Sequence, residues 1–364
     1  MKNYLLMSLT LIVLFSFVAC QNESTPTPTY NVTYDYNYAG AENKQLTGQT
    51  TVTKPEDPTR EGYVLLYWDL DDSVFDDWGS TLTKDISLKA IWAKHVSSIT
   101  DMKNERGEYI LSENYVVSHT TMEIEAGRTF AIDLNGKILA WARPYEAILI
   151  NGECTINDSS ESGTGRLCNV LTTDTNRNAH TLLHVTESGK LTINGGTFGD
   201  LDTNKTNDNK ANLGPTILNE GGKVVINNGH FTNHDGFWKN IENKNAWSYV
   251  ICNNNGEITI NNCDLYGQVI GGITSEGEKA HVTIKGGNFS ASHKDLVYLL
   301  ATQENGKITI TNGTFNYNKE KGQLMGAFNS KPKWNGQSEF EKYGFTITGG
   351  TFIQNGEEKD YRTH

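Results

Sequence analysis

Eight short segments of this chain repeat one pattern, and that repetition constrains the fold more than any other feature. They are Phe130-Ala-Ile-Asp133, Cys154-Thr-Ile-Asn157, Leu191-Thr-Ile-Asn194, Val224-Val-Ile-Asn227, Ile258-Thr-Ile-Asn261, Val282-Thr-Ile-Lys285, Ile308-Thr-Ile-Thr311 and Phe345-Thr-Ile-Thr348. In each, two apolar residues are separated by a single residue, mostly Thr. That is the period of a strand with one buried face. The central isoleucines are Ile132, Ile156, Ile193, Ile226, Ile260, Ile284, Ile310 and Ile347, at intervals of 24, 37, 33, 34, 24, 26 and 37 residues. The shortest interval fits one coil of a parallel β-helix, three short strands with their turns, and the longer ones fit a coil plus an insertion. Propeller blades would recur at about 40 residues with little variation. A sandwich would space its strands near ten residues apart without a stacked motif. The eight isoleucines are therefore expected to form one inward column, each contributing about 1.5–3 kcal/mol by its burial. Most repeats continue through a Gly/Asn turn, which tolerates positive φ. A second inward aromatic follows at Phe198, Phe231, Phe289, Phe315 and Phe352, with Leu265 in its place at the weakest repeat.

The first residues set the compartment. Lys2 precedes an apolar run from Tyr4 to Val18 that ends at Ala19-Cys20, the form of a signal peptide and too short for a comfortable membrane span. Phe17-Val18-Ala19-Cys20 resembles a bacterial lipoprotein processing box, with Phe17 where Leu is usual. The resemblance implies cleavage before Cys20 and lipid on its thiol and new amino group, and two or three acyl chains anchor firmly. The polar, Pro/Thr-rich stretch after Cys20 cannot bury a core and reads as a tether. Glu23 follows closely, as expected for surface export. The expected location is the cell envelope, lipid-anchored and exposed on the outer membrane.

The formal net charge is -12, which disfavours nucleic acid as a partner. Cys154, Cys168, Cys252 and Cys263 form no CxxC pair, so no zinc site is expected. Export permits disulfides, but none is assigned, and Cys154 occupies an inward ladder position.

Residues 30–94 read as a separate small β unit. Val32-Thr-Tyr-Asp-Tyr36 alternates as a strand, Pro55 and Pro58 punctuate a loop before Gly62, and Leu66-Tyr-Trp68 and Ile86 to Trp92 give further strands. The stretches "VTKPEDPTREGY", "YW" and "LKAIWAK" resemble the internalin-type B-repeat, or Listeria–Bacteroides repeat. The departure is Leu65-Leu66-Tyr67, where that family often has a Gly. The resemblance implies a compact, β-grasp-like extracellular module that serves as a spacer or adhesion unit. The acidic run Asp69, Asp71, Asp72, Asp76 and Asp77 lacks the spacing of a calcium loop and reads as a solvated hairpin.

The expected architecture is all-β, a small β-grasp-like B-repeat domain followed by a single-stranded right-handed parallel β-helix. The divisions are 1–19 signal peptide, 20–29 tether, 30–94 B-repeat and 95–364 β-helix. Val96 to Thr120 should supply the opening strands and a cap. "IDLNGKI" and "INDSSESGTGRL" resemble the first coils of the pectate-lyase-like β-helix superfamily, which implies a fold and leaves the function open. Outward positions beside the isoleucines are mainly Thr and Asn, and only Asp133 and Lys285 carry charge there. Two carboxylates suited to glycoside hydrolysis are missing from this face, as are G-x-S-x-G, P-loop and H-E-x-x-H motifs. His180 and His184 read as incidental. The expectation is no catalytic residue, no metal and no cofactor.

Three insertions, roughly 199–213, 232–247 and 316–340, leave the coils at one position, and such loops commonly line the binding side of a solenoid. The second and third carry Asp235, Phe237, Trp238, Trp247, Tyr317 and Trp334. Flat aromatics beside Asn, Asp and Lys suit stacking on sugars. The competing reading is a satellite core on the helix flank. Trp141 and Tyr145 are a weaker candidate of the same kind. The leading expectation is a non-catalytic, adhesin-like surface protein that binds an extracellular glycan or protein. The alternatives are a polysaccharide lyase or hydrolase and a passive structural stalk. Cys20→Ser should abolish incorporation of labelled palmitate and release the chain from the membrane fraction. Unchanged labelling would contradict the anchor.

Overall fold

A computed structural model of the chain describes residues 27–118, 121–142, 146–170, 181–201, 215–232, 249–267, 271–291, 298–303, 305–317, 323–327 and 341–361. Three parallel sheets enclose one core, and the chain visits them in rotation. Sheet 1 contains Tyr115–Ser118, Ile138–Ala142, Arg166–Val170 and their successors to Thr351–Gln354. Sheet 2 runs from Met122–Ile124 to Gln323–Ala327. Sheet 3 runs from Tyr109–Ile110 to Phe345–Ile347. Every strand pairs in parallel with its counterparts one coil before and one coil after, which is the definition of a parallel β-helix.

The isoleucine column is present in full. Ile132, Ile156, Ile193, Ile226, Ile260, Ile284, Ile310 and Ile347 are successive register partners in sheet 3. All eight are buried in the main core. The aromatic column follows in sheet 1, where Leu167, Phe198, Phe231, Leu265, Phe289, Phe315 and Phe352 are successive partners. Its rings stack nearly parallel, at 4.9 Å for Phe198 on Phe231 and 4.8 Å for Phe289 on Phe315. That separation is the spacing between neighbouring strands. Leu265 interrupts the ring stack without breaking the column. Coil length varies because the extra residues leave between strands and do not alter the strands themselves.

The N-terminal module is built from β1 (Tyr30–Asp35), β2 (Lys44–Gln49), β3 (Tyr63–Leu70), β4 (Ser73–Phe75) and β5 (Ile86–Val96). β1 and β5 are parallel, while β2 joins β1 and β3 joins β5 in antiparallel fashion. A parallel central pair with antiparallel flanks is the β-grasp-like order expected. Loop residues Val52 and Leu82, in place of a helix, pack with Val32, Tyr34, Trp68, Leu88 and Trp92. Asp71 and Asp72 both have positive φ, as the tight turn between β3 and β4 requires, so these two form the hairpin tip, with Asp69 in β3 and Asp76 and Asp77 after β4.

The boundary expected after residue 94 falls inside β5. Its last residues pair with β7 (Tyr115–Ser118), so the module's sheet and sheet 1 are continuous. Between β5 and β7, a short 3-10 turn at Ile99–Met102 and β6 (Tyr109–Ile110) bring Met102 and Leu111 against the first coil. These elements lie in the stretch read as opening strands and cap. At the opposite end the strand Glu357–Lys359 folds back antiparallel on Thr351–Gln354 and is exposed throughout. A short charged edge of this kind resists further pairing. Ile260→Ala should lower unfolding free energy by about 2–5 kcal/mol in denaturant titration. A loss below 1 kcal/mol would contradict its place in a close-packed column.

Candidate functional site

The outer wall of sheet 3 repeats along the helix axis. The residues between the two inward positions of each strand point outward and fall in register. Thr155, Thr192, Val225, Thr259, Thr283, Thr309 and Thr346 form one outward column. Beside it runs an amide ladder. Asn194 Nδ2 donates to Asn157 Oδ1 at 2.8 Å, Asn227 to Asn194 at 2.7 Å, and Asn261 to Asn227 at 2.7 Å. The expected Thr/Asn face is there, and its amides bond to one another along the axis. Asn194 and Asn227 each spend one N–H and one lone pair on the ladder, Asn157 a lone pair and Asn261 an N–H, which leaves the other N–H groups and lone pairs for solvent or a ligand. The flanking charges are largely paired with each other, Lys190 with Glu153 at 2.6 Å and Lys223 with Glu257 at 3.1 Å. Asp133 is occupied by its turn, since its Oδ1 accepts the backbone N–H of Asn135 and of Ser159.

Cys20, Asp235, Phe237, Trp238, Trp247 and Trp334 lie outside the described residues, as do His180 and Tyr145. Two other aromatics need correction. Trp141 is fully buried in the main core. It shares the inward phase of its strand with Leu139, so it is no surface platform. Tyr317 is also fully buried, as the last residue of the strand Thr314–Tyr317 and not part of an insertion. Burial pushes its hydroxyl pKa up to about 12. Burial likewise pushes the Cys154 thiol up to about 12 and raises that of Cys263. Cys154, Cys168, Cys252 and Cys263 form no disulfide among the described residues.

His184 differs from its sequence reading. It stands on the outer face of sheet 2, and neighbouring coils bring a carboxylate to each ring nitrogen. Nδ1 meets Glu146 Oε1 at 2.8 Å and Nε2 meets Glu220 Oε2 at 2.9 Å. Each ring nitrogen thus has a carboxylate oxygen within hydrogen-bond distance. The glutamates are 38 and 36 residues away in sequence, and no local motif points to them. The ring lies between the two carboxylates.

A second amide ladder lies inside. Asn219 Nδ2 donates to Asn253 Oδ1 at 2.8 Å, and Asn253 Nδ2 donates to the Gly256 carbonyl at 2.7 Å. Both side chains are buried. Gly256 is required here, because a Cβ would come within 2.1 Å of Asn219 Nδ2. Asn253→Ala leaves the Asn219 donor and the Gly256 carbonyl without this partner. It should cost about 1–3 kcal/mol in equilibrium unfolding, and an unchanged midpoint would contradict the ladder's role.

Residues 30–91 match the family model described as the Listeria-Bacteroides repeat domain. No curated protein matches the chain, and no solved structure does. The N-terminal module is thus a Listeria-Bacteroides repeat, and its matched segment ends within β5.

Proposed function

We propose that this chain is a lipid-anchored surface protein that binds a linear, hydroxyl-rich polysaccharide along the outer wall of sheet 3. The observation that carries this reading is the in-register column of Thr beside the Asn157–Asn194–Asn227–Asn261 ladder. Donors and acceptors recur once per strand, about every 4.7–4.9 Å along the helix axis. A polymer of sugar rings laid along that axis meets Thr155 with Asn157, Thr192 with Asn194 and Thr259 with Asn261, and Val225 with Asn227 between the last two. The side chains are already held by the sheet and by one another, so little rotamer entropy is lost on binding. The signal-like segment ending at Cys20 and the polar tether behind it support anchorage at the envelope.

The alternative reading, cleavage of a polysaccharide, rests on Glu146, His184 and Glu220, where carboxylates and a titratable ring converge. It predicts product release from a polysaccharide that Glu146→Gln abolishes.

Binding is tested by affinity electrophoresis against a panel of soluble polysaccharides. Thr192→Glu with Thr283→Glu places charge on the wall without touching the core. This pair should weaken binding at least tenfold, about 1.4 kcal/mol. Loss of binding only in Trp238→Ala with Trp247→Ala would move the site to the insertions. Absence of binding to any member of the panel would favour a passive stalk.

A further inference from the structure

We infer that the Listeria-Bacteroides repeat is the terminal cap of this β-helix and not a spacer that moves independently of it. A parallel β-helix ends in open strand edges, which must be covered to prevent pairing with other chains. The first edge of sheet 1 is β7, and the end of β5 covers it through the register Lys94↔Tyr115, His95↔Val116 and Val96↔Val117. β5 starts in the repeat and ends in the β-helix without a break. One of its faces carries Leu88, Ala90 and Trp92 in the repeat core, and further along carries Val96 in the helix core. A flexible hinge has no place in a strand shared by two cores.

The side chains at the junction tie the two parts together. Asn114 Nδ2 donates to the Trp92 carbonyl at 3.1 Å, while Asn114 Oδ1 accepts the N–H of Ile138 at 2.9 Å. One residue thus links the repeat to the second strand of sheet 1. Tyr63 and Lys94 both reach Glu113, at 3.1 Å and 3.2 Å.

The repeat also has an apolar face that its own core does not use. Val64, Leu66, Tyr67, Val74, Ile91 and Ala93 belong to one cluster with Val116, Ile138, Ala140, Cys168 and Val170 of the first coils. A free-standing antiparallel module needs only one buried face and leaves the other to water. Leu66 is the residue that falls at the register shift between β3 and β5, a bulge between Leu65 and Tyr67. Bulges re-aim side chains, and Leu66 is fully buried in the shared cluster. It lies in the stretch where this chain departs from the Gly often found in the repeat family.

Native-state hydrogen exchange on the full chain, in rising denaturant, tests the inference. The amides of β1 and β5, those of β7 and those of Ile138–Ala142 should converge on one opening transition. Opening of β1 and β5 at lower denaturant, with β7 still protected, overturns the cap. Leu66→Gly should speed exchange in β1, β5, β7 and Ile138–Ala142 together, at least tenfold. Unchanged exchange in β7 and Ile138–Ala142 in that variant overturns the part assigned to Leu66. Either result is independent of whether the wall of sheet 3 binds a polysaccharide.

Discussion

Each coil of this protein is held by one recurring contact, an apolar side chain resting on its counterpart from the coil before. Parallel pairing sets the separation at one strand spacing, and the period-2 alternation of each strand keeps the same residues inward in every coil. Isoleucine therefore lies on isoleucine in sheet 3 and phenylalanine on phenylalanine in sheet 1. A column of this kind is indifferent to what happens between strands. That is why coils as different as 24 and 37 residues share one register. It is also strict about what enters the core. The polar groups admitted at Asn219 and Asn253 are coupled to each other and to backbone carbonyls.

The outer wall inherits its order from the same constraint. If the inward residues repeat, the residues between them repeat as well, and a one-dimensional array of Thr and Asn results. The amides bond to each other along the axis, so the face is rigid before any ligand arrives. The proposed polysaccharide reading grows from this property. At the N-terminal end, the repeat domain and the β-helix share a strand and an apolar cluster. A module whose family resemblance implies a spacer or adhesion unit thus becomes part of the solenoid's closure.

Much of this was legible in the sequence because the signal was local and repeated. The T-I-N and Gly/Asn-Phe patterns gave the coil, the inward columns and the outward Thr/Asn face. The B-repeat was legible from its Pro/Gly loop and its closing strand. What was not legible depended on register between distant segments. Glu146, His184 and Glu220 meet only because their strands or the adjoining turns occupy consecutive coils of sheet 2. Trp141 looked like a surface aromatic because its strand, Ile138–Ala142, lacks the T-I-N pattern and is apolar on both faces. One face joins the main core and the other joins the cluster shared with the repeat. Leu66 stood out as a departure from its family, but its reason lies in the first coils, some 50 to 100 residues downstream.

The in-register stack can be measured by distance. Nitroxide labels at Thr155 paired in turn with Thr283, Thr309 and Thr346 sample the outward column four, five and six coils away. Pulsed dipolar spectroscopy should give separations that grow by about 4.7–4.9 Å at each step, although the added chain length differs from step to step. Separations that scale with the number of intervening residues, or that fail to increase by equal steps, would contradict the stacked column on which the fold rests.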